Sequence, residues 1–260
     1  MAFVQCEFFS NVLGMHMQMN VILPQPETRH IGTASASASD SGNYPVMYLL
    51  HGMSDDQSIW SRLTSIERYV LGKNLVVVMP NAHRSYYSNM RQGFDYWTYV
   101  SEELPAVVGE FFHVSPRRED TYVCGLSMGG YGTFKLGMLR PDRFAAACGI
   151  SAVTDIQTFP DYLDDARKVE MARIFGPQEQ LADSPDNLFR IAEKLVAAKG
   201  PKPRFMQICG TEDFLYQDNV RFRDHLRKIG FPCKYLEEPG SHTWEFWDKH
   251  VQTALRFFGF

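Results

Sequence analysis

The 260-residue sequence holds few cysteines and spends them singly: Cys6, Cys124, Cys148, Cys209 and Cys233 are scattered, with no C-x-x-C pair. An odd number so spaced argues against a closed disulfide framework. Free buried thiols are expected, as in a reducing cytoplasm. No run of 18 apolar residues occurs, which excludes a membrane-spanning helix. The opening Met1-Ala2-Phe3-Val4-Gln5-Cys6-Glu7 lacks the basic start and apolar run of a secretory signal, although a mature chain freed of its signal would read the same way. There is no block of like charge either. With 26 Lys and Arg against 30 Asp and Glu, the net charge of −4 supplies no field to gather nucleic acid or an anionic membrane. No histidine or carboxylate cluster has metal-ligand spacing, so neither a metal nor another cofactor is expected. Internal repeats are absent. What remains as partner is a small neutral or modestly charged molecule, with homo-oligomerisation left open.

What is present is apolar content, 45% hydrophobic and 13% aromatic, enough to bury one large core. A single domain over 1–260 is therefore expected. Strand-like and helix-like segments alternate, the pattern of an α/β fold with a mainly parallel sheet covered on both faces. Val4–Phe9 and Met15–Leu23 read as an antiparallel hairpin at the sheet edge with one face wet, since Met15, Met17, Met19, Val21 and Leu23 recur every second residue. The short apolar runs Val46–Leu50, Leu75–Met79, Tyr122–Cys124, Ala145–Ile150 and Phe205–Cys209 read as strands buried on both faces, with a last strand over Cys233–Leu236. Helices are expected at Tyr96–Phe112, Met128–Leu139, Val220–Ile229 and Trp244–Phe258. Pro105 lies inside the first and calls for a kink or a restart. Residues 25–43, containing "TASASASDSG", read as a flexible surface loop. Residues 152–203 are too long for a connector and form a modest cap-like insertion, with Phe159, Tyr162 and Phe175 as candidate wall residues.

The chemistry gathers around "GLSMGG". Gly125-x-Ser127-x-Gly129 follows a strand and opens a helix, the context that a nucleophile elbow requires. Glycines on both sides let strand and helix approach, and the turn aims the Ser127 hydroxyl beyond the strand end. The Met128 N–H, at the helix start, can bind a developing oxyanion. A second donor is expected from the Met53 N–H in "LLHGM", where Gly52 allows a close turn and His51 supports it. The acid and base should follow on later loops: Asp213 in "GTEDFLY", with Asp218 as the alternative if that loop is longer, and His242 in "PGSHTWEFW". His225 and His250 lie in helical patterns, while His83 and His113 fall outside the expected loop. Glu212 should face away. Asp95, Tyr96, Trp97 and Glu103 could border a substrate; Gly52, Trp97 and Trp244 are the substrate-binding candidates carried forward.

"YLLHGMSDD", "VVVMPN", "GFDYWTYVSEELP", "CGLSMGGYGTFKLGM", "GTEDFLY" and "GSHTWEFW", in this order, resemble the esterase D group of α/β-hydrolases, most of all its bacterial tributyrin esterase branch, with S-formylglutathione hydrolases, some feruloyl esterases and mycolyltransferases as relatives. The resemblance spans nearly the whole chain. It implies an α/β-hydrolase fold, Ser127, Asp213 and His242 as catalytic triad, Met53 and Met128 as oxyanion hole, and hydrolysis of a small-molecule ester. The expected activity is that of a serine carboxylesterase on acetyl to butyryl esters such as tributyrin, p-nitrophenyl esters or acetylated sugars. S-formylglutathione or a feruloyl ester is the alternative. A non-catalytic binding module on the same fold is the reading from another class, and the complete Ser, Asp, His set argues against it.

Overall fold

The computed structural model describes residues 1–25 and 43–260. All but the two end residues of the expected Ser/Ala-rich loop lie outside the described residues.

The hairpin β1 (Ala2–Ser10) and β2 (Met15–Leu23) leads into β3 (Val46–Leu50), the short helices α1 (Ile59–Leu63) and α2 (Ile66–Tyr69), and β4 (Val76–Pro80). Then come α3 (Tyr96–Thr98), a π-helical turn (Tyr99–Glu103), α4 (Leu104–Phe111), β5 (Thr121–Leu126), α5 (Met128–Leu139) and β6 (Ala146–Ile150). The chain closes with α6 (Asp165–Phe175), α7 (Leu188–Ala197), β7 (Arg204–Gly210), α8 (Tyr216–Lys228), β8 (Cys233–Glu238) and α9 (Trp244–Phe258). The eight strands form one sheet in the order β1-β2-β4-β3-β5-β6-β7-β8. Pairing is antiparallel from β1 to β4 and parallel from there on. This is the α/β-hydrolase arrangement.

Alternation along the strands sorts side chains between two cores. Val46, Tyr48 and Leu50 of β3 join the core under α4, α5, α7 and α8, whereas Met47 and Leu49 join the one under α1, α2 and α9. The hairpin departs from its expected one-sided exposure at Asn20 and Ile22, which are buried because β2 continues into the sheet by pairing with β4. All five cysteines are free thiols.

Pro105 acts as its chemistry requires. Lacking an N–H, it leaves the Ser101 carbonyl one turn back without a helical partner. Arg143 and Arg140 donate to that oxygen, at 2.9 and 3.3 Å, while the chain passes through the π turn and restarts with proline in the first turn of α4.

Residues 152–203 carry more regular structure than expected. The part through α6 approaches the carboxyl ends of the strands, but α7 packs on α5 and α8 as part of the sheet's own cover. Its Leu188, Ile191, Ala192 and Leu195 are buried at helical spacing, and Asn187 caps it by accepting from the Phe189 N–H at 3.0 Å.

Gly129 measures how tightly α5 meets the sheet: a Cβ there would lie 2.5 Å from the Leu50 carbonyl oxygen and 2.7 Å from that of His51. Both neighbours are backbone, so neither can swing away. Gly129→Ala should cost about 3 kcal/mol and lower Tm by roughly 6–12 °C. Gly109→Ala, exposed in α4 with nothing within 4 Å, should stabilise by about 0.5–1 kcal/mol. Thermal unfolding followed by circular dichroism checks the pair, and equal melting temperatures would refute the packing argument.

Candidate active site

Ser127 sits between β5 and α5 at φ 53° and ψ −118°, a backbone conformation that side chains rarely tolerate. Three backbone hydrogen bonds hold it. Its N–H donates to the Ile150 carbonyl at 3.0 Å, and its own carbonyl accepts from Tyr131 and Val153 at 3.1 and 3.2 Å. The strand before, the helix after and the adjoining strand β6 therefore all grip one residue, and its hydroxyl is left at the floor of a cleft.

Asp213 follows β7 and His242 follows β8, neighbouring parallel strands whose ends lie side by side. The Glu212 N–H donates to the Gly240 carbonyl at 3.0 Å and ties the two loops together. Glu212 points its own carboxylate at the Gly240 N–H, away from His242. His242 Nδ1 lies 2.9 and 3.1 Å from the two Asp213 oxygens, and Nε2 lies 3.0 Å from Ser127 Oγ. A carboxylate can only accept, so Nδ1 carries the proton and Nε2 offers its lone pair to the serine hydroxyl. The Asp213 side chain is fully buried and also accepts from the Leu215 N–H at 2.9 Å. The imidazole is held between Phe214 and Trp247, with ring centroids 4.7 and 4.8 Å away, and the Trp247 indole N–H is anchored on Ser151 Oγ at 3.1 Å. Neither aromatic had been singled out from the sequence.

The rival residues lie elsewhere. Asp218 is buried against the Tyr162 hydroxyl and Arg221, at 2.9 and 2.7 Å, and faces the insertion rather than His242. His225 stacks on Phe189, His250 bonds Glu238 at 3.0 Å, and His83 Nδ1 meets the Tyr96 hydroxyl at 2.6 Å. His113 lies along a different hollow at the far side of β3.

His51 is buried and neutral. Its Nε2 accepts from the Ala82 N–H at 3.0 Å, so Nδ1 keeps its proton and donates to the Gly52 carbonyl at 2.7 Å. That carbonyl shares a rigid peptide plane with the Met53 N–H, which must point the opposite way. Holding one end aims the other. Neither the Met53 nor the Met128 N–H has a hydrogen-bond partner among the described residues.

The cleft over Ser127 measures about 750 Å³. Gly52, Met53 and Asp55 line one side, Phe159, Tyr162 and Arg167 another, and Phe214 and Trp244 the rim beside His242. Of the residues expected to border a substrate, Gly52 and Trp244 are there. Trp97 is a correction: its ring lies 4.9 Å from the buried Lys135 ammonium, at a separate hollow behind α5. An aromatic face beside a desolvated cation accounts for its place. Asp95, Tyr96 and Glu103 also stay out of the cleft; Glu103 binds Ser10 and the Asn11 N–H at the hairpin. Phe175 packs behind the wall on Tyr86 and Tyr131. Among the described residues no cluster of three His, Cys, Asp or Glu is arranged to hold a metal, and no helix is long and apolar enough to cross a membrane.

A substrate-binding chain at 33% identity adopts the same architecture: FphF, a fluorophosphonate-binding serine hydrolase of Staphylococcus aureus, superimposes with a TM-score of 0.87 over 99% of this chain and 98% of that one. An S-formylglutathione hydrolase (FrmB) from the same organism, also 33% identical, gives 0.84 over the same shares. The acetyl esterase of Caldicellulosiruptor saccharolyticus is 28% identical over 99% of this chain and 98% of its own. Fold and likeness together define an ester hydrolase of the α/β-hydrolase class. The chain belongs to the Esterase family, described as "Putative esterase", whose pattern it matches over residues 10–258.

His51 also makes a pH prediction. Burial pushes its imidazole down to about 4, below the 6.5 of an exposed histidine. Between those values the unfolded chain binds the proton and the folded chain does not, so this stability is complete above pH 6.5 and lost as pH falls towards 4. Urea unfolding at pH 7 and pH 4.5 should show wild type losing about 2.5 kcal/mol more over that interval than His51→Leu. Parallel losses would mean that His51 is not held neutral.

Proposed function

We propose that the protein hydrolyses short-chain acyl esters through an acyl-enzyme, with Ser127 as nucleophile, His242 as general base and Asp213 as the group that orients and stabilises the imidazole. The observation that carries this reading is the continuous hydrogen-bonded chain from Ser127 Oγ through His242 to the buried Asp213 carboxylate. His242 Nε2 takes the Ser127 proton as Oγ attacks the ester carbonyl, and the Met53 and Met128 N–H groups receive the oxyanion. His242 then gives its proton to the departing alcohol. Water, activated by the same nitrogen, releases the acid.

The chain-length reading rests on the wall formed by Phe159 and Tyr162. Tyr162 is pinned by Asp218, itself fixed by Arg221, so the wall does not yield freely to a long chain. Residues 152–164 and α6 thus act as the modest cap, on one domain with the sheet. Thioester hydrolysis is the second reading, favoured by the likeness to the staphylococcal S-formylglutathione hydrolase. The free thiols support a reducing, cytoplasmic setting.

A fluorophosphonate probe should label Ser127 stoichiometrically; unlabelled folded protein would favour a binding module. Ser127→Ala and His242→Ala should each lower kcat by about 10⁴-fold or more, with the double variant no worse than either single one, because the triad acts as a unit. A double variant that multiplied the two losses would contradict the proposed mechanism.

On p-nitrophenyl esters of graded length, kcat/KM should peak between acetyl and butyryl and fall steeply beyond about eight acyl carbons, since overfilling costs roughly 1–3 kcal/mol. A preference for long chains would sink the small-pocket reading. A rate on S-formylglutathione above the acetyl ester by orders of magnitude would establish the second.

A further inference from the structure

Asp55 stands in the cleft with no part in the mechanism above. It lies two residues after Met53, half-buried, and borders the same space as Ser127 and His242. Its carboxylate lies back over its own loop, where the Gly52 backbone and the Ser54 side chain favour its ionised form. It leans so far over the loop that a Cβ built on Gly52 would sit 2.8 Å from Oδ2. Among the described residues no lysine or arginine pairs with it. His242 favours its charged form, while its neighbour Asp56 opposes it. The cations at the rim face other carboxylates: Arg84 clasps Glu170 through two contacts of 2.5 and 2.6 Å, and Arg167 lies 3.7 Å from Asp164; Glu245, the other carboxylate lining the cleft, is exposed to water.

An ionised carboxylate offers about four acceptor positions, more than the neighbouring loop can fill. The alcohol oxygen of an ester must come within hydrogen-bond reach of His242 Nε2 to collect its proton. A carboxylate that lines the same cleft as His242 therefore flanks the alcohol half of the substrate, not the tail of the acyl chain. An acceptor partly removed from water and lacking a cation calls for donors on the ligand.

We propose that Asp55 is a specificity-determining residue for the alcohol half of the ester, accepting hydrogen bonds from free hydroxyl groups near the scissile oxygen, so that polyol esters are preferred over esters of simple alcohols. This rests on the Ser127 reading of the site. Trp244, on the rim beside His242, supplies the apolar face against which the carbon skeleton of such an alcohol lies. A site built to accept from a hydroxyl discriminates against an analogue without one, because the acceptor is then left dry and unpaired.

The test compares glycerol monoacetate with n-propyl acetate, which share the acetyl group and a three-carbon alcohol. Fluorophosphonate labelling counts active sites beforehand. Wild type should favour the glycerol ester in kcat/KM by about tenfold. Asp55→Leu should bring the ratio close to one, and Asp55→Asn, which keeps one acceptor oxygen, should hold it at about threefold. A wild-type ratio near one, or an equal loss on both esters in Asp55→Leu, would overturn the proposal and leave Asp55 a support of its loop. Failure of wild type to label would bring down the Ser127 reading and this proposal with it; labelled enzyme with an unchanged ratio would bring down this proposal alone.

Discussion

The left-handed backbone at Ser127 is the constraint on which the remainder of the site depends. A non-glycine residue held there stores about 1–3 kcal/mol of strain, and it persists only because its surroundings leave no room to relax. The carbonyls of Leu50 and His51 press on Gly129 two residues later, Ile150 holds the Ser127 N–H, and Val153 and Tyr131 hold its carbonyl. Three parallel strands, β3, β5 and β6, are thus read at a single residue. Were any of them displaced by a fraction of an ångström, the hydroxyl would leave the line of His242 Nε2.

The back of α5 is held by a different kind of force. Lys135 is fully buried in α5, with its ammonium on Asp186 and, at 2.7 Å, on the Ser88 hydroxyl. Burial lowers its pKa, opposed by the Asp186 charge. Such a pair adds little net stability, since desolvation consumes most of the attraction. Breaking it would strand a charge, however, and this forces the 83–98 segment and the start of α7 to keep their places against α5. Trp97 completes that shell, which is why an aromatic beside a catalytic-looking motif ends up behind the site.

Asp213 and His242 are placed by the sheet itself. β7 and β8 pair in register from Phe205 with Cys233 to Gly210 with Glu238, so the loops that leave them emerge together. Asp213 is buried yet satisfied by His242 and the Leu215 N–H, and the imidazole is kept in plane by Phe214 and Trp247. His51 likewise fixes the Gly52–Met53 peptide plane from behind, on Gly52 and Ala82.

Much of this was legible in the residues. The order of strands and helices follows from alternating apolar runs, β3, α5 and α9 fall at the expected bounds, and Ser127, Asp213 and His242 stand out because each is a reactive residue type on a Gly-rich or polar loop just after a strand. The amphipathic spacing of α7 was also there, hidden inside a stretch read as an insertion. The places of Trp97, Phe175 and Asp55 were not legible, and Asp213 was preferred on loop length with Asp218 left as the alternative. Local pattern tells which residues leave a strand end; it does not tell which way a side chain turns once it has left. Asp218 and Asp213 are five residues apart, and only the meeting of Tyr162 with Asp218 and Arg221 on α8 turns one towards the cap while the other meets His242. The sequence by itself determined the elements, their alternation and the reactive residue types, because these depend on neighbours three or four positions away. Tertiary structure alone decided which of those groups share a cleft, because that depends on backbones brought together from more than a hundred residues apart.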